Sequence, residues 1–301
     1  MGIVDGRVVI VTGAARGLGR AHALAFAAEG ASVVVNDYGV QSDGASPDTA
    51  AAQLVVDEIR AAGGTAVANA ADVADWQQAG ALVRQAIDEF GRLDVLVNNA
   101  GFVRDRMLAT MSEAEWDAVI RVHLTGHFAP LRHAAAYWRA ESKAGRQPDA
   151  RVVNTTSGAG LQGSVGQGNY GAAKAGIAAL TLIAAAEMSR YGVTVNAIAP
   201  SARTRMTETT FADMMAAPTD GSFDAMAPEN ISPLLVWLGS SRSAHVTARV
   251  FEVEGGKVAL ADGWRHGTPI DKRARWEPAE LGDVVDRLVK DAQPPEPVYG
   301  A

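Results

Sequence analysis

The sequence predicts an α/β protein on a doubly wound sheet of about seven parallel strands, with helices on both faces. Two observations carry this. Short, nearly continuous apolar runs rich in Val and Ile alternate with longer Ala-rich segments up to about residue 257. Strands without polar alternation are buried on both faces, as in parallel sheets covered by crossover helices.

The elements follow in order. "RVVIVT" (7–12) is a first strand, and "GRAHALAFAAEG" (19–30) a helix that stops at a glycine. "ASVVVND" (31–37) is a second strand, followed by a polar loop at 38–48 and a helix at about 48–62 ending at Gly63-Gly64. "TAVANA", the helix "DWQQAGALVRQAIDEFG" and the strand "LDVLVNN" come next. A long helical region around 112–141 precedes the strand "RVVNTTS", a Gly/Ala-rich helix, the strand "VTVNAIAP", a helix around 229–239 and a last strand "ARVFEVEGG". This is a Rossmann-type pattern. Residues 1–257 read as one catalytic domain and 258–301 as a C-terminal extension. In the extension, Pro278 opens a helix whose Leu281, Val284, Val285, Leu288 and Val289 form one apolar stripe, suited to packing on its own subunit or a neighbour. "QPPEPVYGA" reads as an extended or disordered end. The irregular stretch 205–226 holds four of the eight methionines. It suits an adaptable lid over an apolar substrate, or a loosely packed connection.

Composition removes several classes of function. A net charge of −7 argues against a nucleic-acid partner. With no cysteine there are no disulfides, thiol nucleophiles or thiolate metal sites, and a reducing cytoplasm is the natural setting. No metal site is read. The N-terminus lacks the pattern of a signal peptide, and the longest nearly apolar run, Ala175–Ala186, is too short to span a bilayer.

Two motifs carry chemistry. "VTGAARGLG" joins the first strand to the first helix, with Gly13, Gly17 and Gly19 in the order T-G-x-x-x-G-x-G from Thr12. Such a turn lets backbone N–H groups meet phosphate at a helix N-terminus. Asp37, at the end of the second strand, is placed to accept hydrogen bonds from an adenosine ribose and to repel a 2′-phosphate, which favours NAD over NADP; Arg16 in the turn pulls the other way. The second motif is Tyr170 and Lys174, one helical turn apart. A phenol can exchange a proton with a substrate oxygen, and a neighbouring ammonium favours the phenolate. The bland alternatives are a strand-end turn for Asp37 and a surface pair for Tyr170 and Lys174.

Taken together, TGxxxGxG (12–19), "NNAG" (98–101) and Ser157 thirteen residues before Y-x-x-x-K (170–174) resemble the short-chain dehydrogenase/reductase family over about residues 5–256. The resemblance implies cofactor contacts from Thr12, Gly13, Arg16, Gly17, Leu18 and Gly19, and from Asn99, Ala100 and Gly101. It implies adenine contact at Asp72 with Val73, and nicotinamide contact near Pro200 and Thr204, although Pro200-Ser201 stands where the family has P-G. It makes Tyr170 the proton donor and acceptor, Lys174 its partner and a ribose ligand, and Ser157 a hydrogen-bond donor to the substrate oxygen. The family's proton relay uses an asparagine where this chain has His123 in "VHLTG". His123 can bind the same water or a backbone carbonyl, or titrate near neutral pH. His22, inside an Ala-rich helix, reads as structural.

A narrower likeness lies in "VVVNDYG", "NNAGFVRDRMLATMSEAEWDAVIRVHLTGHF" and "NAIAPSARTRMT". These resemble the (3R)-hydroxyacyl-CoA dehydrogenase unit of peroxisomal multifunctional enzyme type 2 and its bacterial stand-alone relatives. The implied activity is NAD-dependent oxidation of a 3-hydroxyacyl-CoA in β-oxidation of fatty acids or steroid side chains. Arg104 and Arg106 either meet a CoA phosphate or belong to an exposed charged loop. Two other readings stay open: a dehydrogenase of free hydroxysteroids or other bulky secondary alcohols, and a non-catalytic NAD-binding scaffold or sensor. The Tyr170 helix is apolar all round, which predicts burial on its outer face too. A homodimer or homotetramer through this helix and the one at 112–141 answers that, or else the C-terminal helix folds back over it.

Overall fold

The computed structural model describes residues 2–39, 49–204, 215–261 and 263–300. The expected loop at 38–48 lies almost wholly outside the described residues, as does the first part, 205–214, of the expected lid.

Seven strands run parallel: β1 (Val8–Thr12), β2 (Ser32–Asn36), β3 (Thr65–Asn69), β4 (Val95–Asn98), β5 (Ala150–Thr155), β6 (Val193–Ser201) and β7 (Val250–Glu254). An eighth, β8 (Lys257–Leu260), pairs antiparallel with β7. The sequence reading ends the sheet at "ARVFEVEGG"; the structure adds β8 because Gly255-Gly256 is a two-residue hairpin loop between the paired Glu254 and Lys257. The sheet therefore extends past residue 257. The strand order is β3-β2-β1-β4-β5-β6-β7-β8. The chain reverses direction of winding between β1 and β4, in register Val9↔Val95 to Val11↔Val97. A crevice opens beyond the C-terminal ends of strands at such a switch point, and ligands bind there.

Helices α1 (Gly17–Ala28) and α2 (Thr49–Ala61) cover one face, where Phe26, Val55 and Ile59 pack on Val33 and Val35. Helices α3 (Trp76–Phe90), α4 (Glu113–Ile120), α5 (Gly126–Lys143), the short α6 (Gly158–Leu161) and the long α7 (Gly168–Met188) build the other side. There Leu82, Leu131 and Ala184 pack on Ile10, Leu96 and Val195. The last two helices are α8 (Ser232–Gly239), on the first face through Leu235, and α9 (Leu281–Asp291) in the extension. Local signals explain the ends. Asp75 caps α3 by accepting from Gln78 N at 2.8 Å, and Gly91 ends it with a left-handed φ of 78°. Ser112 and Glu115 form a capping box on α4.

The long helical region expected at 112–141 is interrupted. Residues Arg121–Thr125 form one π-helical turn between α4 and α5. Such turns cluster at functional sites, and this one carries His123. The apolar helix is longer than its Ala-rich run suggested. With its 3-10 end, Gly168–Tyr191 is long and apolar enough, by length and composition, to cross a membrane. Here it packs along β5 and β6, with Ala173, Ile177 and Ala185 buried. On α9 only Val284 of the apolar stripe is buried; Val285, Leu288 and Val289 are exposed.

Candidate active site

The glycine turn leaves β1 at the switch point, and each glycine has a physical reason. Gly13 and Gly17 have φ of 64° and 52°, a region that side chains with a Cβ rarely enter. A Cβ on Gly19 would stand 2.1 Å from the Gly13 carbonyl oxygen. Arg16, the N-cap of α1, offers no side-chain acceptor, and the first turn holds no acidic residue. The opening N–H groups of α1 are thus left to an external acceptor, which fits a cofactor pyrophosphate. Arg16 is exposed, and Leu18 packs on the core behind it.

"NNAG" locks this turn from below. Thr12 Oγ1 accepts hydrogen bonds from Asn99 N (2.9 Å) and Ala100 N (3.1 Å), and Asn99 Nδ2 donates to Thr12 O (2.9 Å) and Gly13 O (3.2 Å). Asp37 ties the end of β2 to the same turn, accepting from Ala15 N at 2.9 Å and Gly39 N at 2.8 Å. A carboxylate has about four acceptor positions, so both oxygens keep capacity for ribose hydroxyls. Asp72 accepts from Ala74 N and forms an ion pair with Arg121 at 2.6 Å; Val73 beside it is buried against Gly126. Thr204 comes within 3.8 Å of the Cβ position of Gly17, so it does reach the turn. Pro200 lies in β6, paired with Val253.

A chain of contacts leads from the turn to the second motif. Gly101 has no Cβ because one would stand 2.1 Å from the His123 ring. His123 lies edge-on to Tyr170, with ring centroids 5.1 Å apart. Lys174 Nζ is 5.5 Å from the Tyr170 centroid and donates to Thr155 O at 2.6 Å. Thr156 Oγ1 donates to Lys174 O, fixing α7 against the end of β5. Ser157 caps the start of α6, its Oγ accepting from Ala159 N at 3.2 Å, and lies near enough to the Tyr170 phenol to pull its pKa downward. Gly160 lets α6 approach the Lys174 backbone, where a Cβ would clash at 2.6 Å. The small residues around the pair are thus the means of close approach, not an absence of information.

The electrostatics refine the expectation at Tyr170. In the protein chain alone burial dominates and raises the phenol's pKa, with the Ser157 hydroxyl opposing it. The lowering expected from Lys174 does not prevail. Lys174 is itself buried, and burial lowers its pKa to about 7. His123 does not titrate near neutrality. Burial first, then the charge of Lys174, lowers it to about 3, so the neutral ring binds the Phe102 backbone through Nε2. Of the contacts expected for His123, the structure contains one to a backbone carbonyl, that of Phe102. His22 is buried on Ser232 Oγ at 2.9 Å, remote from these residues in the fold. Arg106 is engaged by Glu115 at 3.0 Å, and Arg104 stacks over Phe102, as in the charged-loop reading.

Three neighbours of these residues escaped the sequence reading. Thr155 acts through a backbone carbonyl, which no residue type announces. His127 is buried, with Nε2 lacking a partner among the described residues and a pKa held well below normal by burial and by Lys174. Its spacing of four from His123 was a usable signal. Tyr299 reaches Gly158 from the C-terminus, and nothing local foretold it.

A phosphate cradle joined through one histidine to a phenol–ammonium pair belongs to a nicotinamide-dependent oxidoreductase acting on CH–OH groups. Comparison with known proteins narrows that class. The short chain dehydrogenase family profile matches residues 7–215, and this chain belongs to that family. It is 47% identical to the hydroxyacyl-CoA dehydrogenase ChsB1 of Mycobacterium tuberculosis, over 92% of this chain and 87% of that protein. It is 43% identical to the mouse (Mus musculus) peroxisomal multifunctional enzyme type 2, over 93% of this chain but 34% of that longer protein. A crystal structure of a short chain dehydrogenase from Mycobacterium avium superposes with a TM-score of 0.90 at 67% identity, covering 100% of both chains.

Proposed function

We propose that this protein oxidises a (3R)-hydroxyacyl-CoA to the 3-oxoacyl-CoA with NAD. The observation that carries the chemistry is the grouping of Ser157, Tyr170 and Lys174 at the C-terminal ends of the strands. When bound, the nicotinamide supplies a two-electron acceptor or donor of hydride. Ser157 orients the substrate oxygen and Tyr170 takes its proton. A phenolate and an ammonium favour each other's charged form, so Lys174 offsets the burial that opposes ionisation of Tyr170. An ammonium has three donors, and Thr155 O takes one, leaving the others for cofactor hydroxyls. His123, neutral and anchored at Phe102, keeps the Tyr170 ring in place.

The acyl-CoA class is supported by the name of one relative, the hydroxyacyl-CoA dehydrogenase ChsB1. NAD is supported by Asp37, held at the end of β2 by two backbone N–H groups. A spectrophotometric assay of NADH formation over a panel of 3-hydroxyacyl-CoAs and free hydroxysteroids tests both. The highest kcat/KM is expected for a hydroxyacyl-CoA with NAD. A higher value for a hydroxysteroid would replace the substrate class.

The assembly is inferred to be a homodimer or homotetramer. The outer side of α7 presents Ala172, Ala175, Ala179 and Ala186 beside exposed Leu182 and Ile183, with exposed Phe128 on α5. The fold-back alternative does not cover it: Ile183 remains 56% exposed with α9 in place. Light scattering at micromolar concentration should give two or four times 31.3 kDa; the mass of one chain refutes the interface. The cysteine-free composition suits a reducing cytoplasm.

A further inference from the structure

The C-terminal end reads as extended or disordered in the sequence, and in the structure it is docked. Tyr299 forms an isolated parallel β-bridge with Ser164. Val165 N donates to Tyr299 O at 2.9 Å, and Tyr299 N donates to Gly163 O at 3.3 Å. Val298 lies 3.4 Å from the Cβ position of Gly163, and Val165 lies 3.7 Å from that of Gly300. The phenol occupies the space that a side chain at Gly158 would need: a Cβ there would stand 2.6 Å from Tyr299 Oη and 2.7 Å from Cε2. Gly158 is the residue after Ser157, about 3.8 Å along the chain.

The segment on which the tail docks, residues 158–168, links Ser157 to the helix turn carrying Tyr170. Its far end is faced by another apolar group. Arg106 N donates to Gly166 O at 2.7 Å, and Met107 lies 3.9 Å from the Cβ position of Gly166. Leu108 lies 3.5 Å from that of Gly168. Met107 and Leu108 are strongly exposed, and Val298 and Tyr299 are half exposed. Exposed apolar side chains from two distant parts of the sequence thus flank the segment between the two groups that meet the reacting oxygen. Isolated exposed apolar residues need no explanation, but a grouping of this kind marks a binding surface.

We infer that residues 297–300 form one wall of the substrate site and that Tyr299 is a specificity-determining residue, packing on the acyl chain next to the reacting carbinol. This rests on the hydroxyacyl-CoA reading for the identity of the chain it meets. The phenol stays protonated, because burial and the nearby Glu252 and Glu254 raise its pKa, so Tyr299 itself adds no charge against an apolar chain.

The test compares the full chain with a truncation after Glu296 and with Tyr299→Ala, using 3-hydroxybutyryl-CoA and 3-hydroxyhexadecanoyl-CoA with NAD. Both variants should raise KM for the long thioester and lower its kcat/KM relative to the short one by about tenfold or more, the scale on which apolar pockets discriminate. KM for NAD should hold, and the short thioester should lose less than the long one. Faster hydrogen exchange at the Val165 amide in the truncated chain would confirm that the tail had been docked. An unchanged long-to-short ratio overturns the inference, and so does equal loss with both thioesters, which is a merely structural effect. If the unaltered protein turns over no hydroxyacyl-CoA, the substrate reading fails separately. The ratio is then read between a hydroxysteroid and a short secondary alcohol, and an unchanged value overturns the wall.

Discussion

The cradle assigned to the cofactor and the rim proposed for the substrate lie at the same end of the sheet but are built in opposite ways. In the cradle, backbone meets backbone. Gly13 and Gly19 leave no room for a methyl group, and Asn99 binds two consecutive carbonyls. Every contact has a donor, an acceptor or a steric limit that a particular residue type must satisfy. The rim is made of Met107, Leu108, Val298 and Tyr299, from segments almost two hundred residues apart, exposing apolar surface with few directed bonds. A phosphate is the same in every nicotinamide cofactor, and fixed backbone geometry suits it. An acyl chain varies in length, and adaptable side chains suit that.

If the cradle only binds and the Tyr170 group performs the proton transfer, the two can be broken separately. Tyr170→Phe keeps the ring beside His123 and removes only the hydroxyl. Turnover is expected to fall by about 10²–10⁴-fold, the usual value of positioned acid–base catalysis, with NAD affinity by titration nearly unchanged. More than about a tenth of the rate remaining would remove Tyr170 from the role. Gly19→Ala does the reverse. Its methyl must displace the Gly13 carbonyl, and overpacking of this kind costs about 1–3 kcal/mol. Cofactor affinity should drop by about tenfold or more, with a lesser change in kcat at saturating NAD. Normal NAD affinity in Gly19→Ala would show that the turn is not the phosphate site.

The same contrast explains what was legible in the sequence. The parallel sheet was readable because strands such as Val8–Thr12, buried throughout, are apolar up to the last residue, where the Thr12 hydroxyl accepts from Asn99 N. Gly13, Gly17 and Gly19, and the pair Tyr170 and Lys174, were readable because their spacing is the spacing of their geometry. The π-turn at His123 was not, since its helix has ordinary composition on both sides. Nor was the direction of the Tyr170 pKa, which depends on burial summed over many neighbours rather than on Lys174 alone. Tyr299 was hidden for a different reason. Its partners are Gly163, Ser164 and Val165, held through backbone atoms, and pairing of a short terminal segment leaves no periodic trace.

A smaller effect tests the boundary between cradle and cofactor choice. Asp37→Asn keeps an acceptor for the Ala15 N–H and removes the negative charge. Charge-assisted hydrogen bonds are roughly twice as strong as neutral ones, and the charge also repels a 2′-phosphate. The ratio of kcat/KM for NAD to that for NADP should fall by about tenfold. If the unaltered protein already prefers NADP, Arg16 decides the choice and Asp37 serves only the turn.

The smallest expected effect concerns stability, and its sign depends on pH. Lys174 has a pKa of about 7 in the folded chain against 10.5 for an unburied lysine. Between these values the unfolded chain binds more protons than the folded one, so stability rises with pH. Below about pH 7 both states are protonated and the full penalty of burying the ammonium is present; above about 10.5 it is absent. Lys174→Met keeps a similar apolar stem and removes the ammonium, but strands the Thr155 carbonyl, a loss of about 1–3 kcal/mol that does not depend on pH. The variant should therefore gain on the parent as pH falls. Its melting temperature relative to the parent should rise by a few degrees between pH 9 and pH 6, while its activity is lost at both. A difference in melting temperature that stays constant over this range would mean that Lys174 keeps its ordinary pKa, solvated inside the site. The rim and the catalytic pair would then share one wet cavity, and burial would no longer set the pair apart.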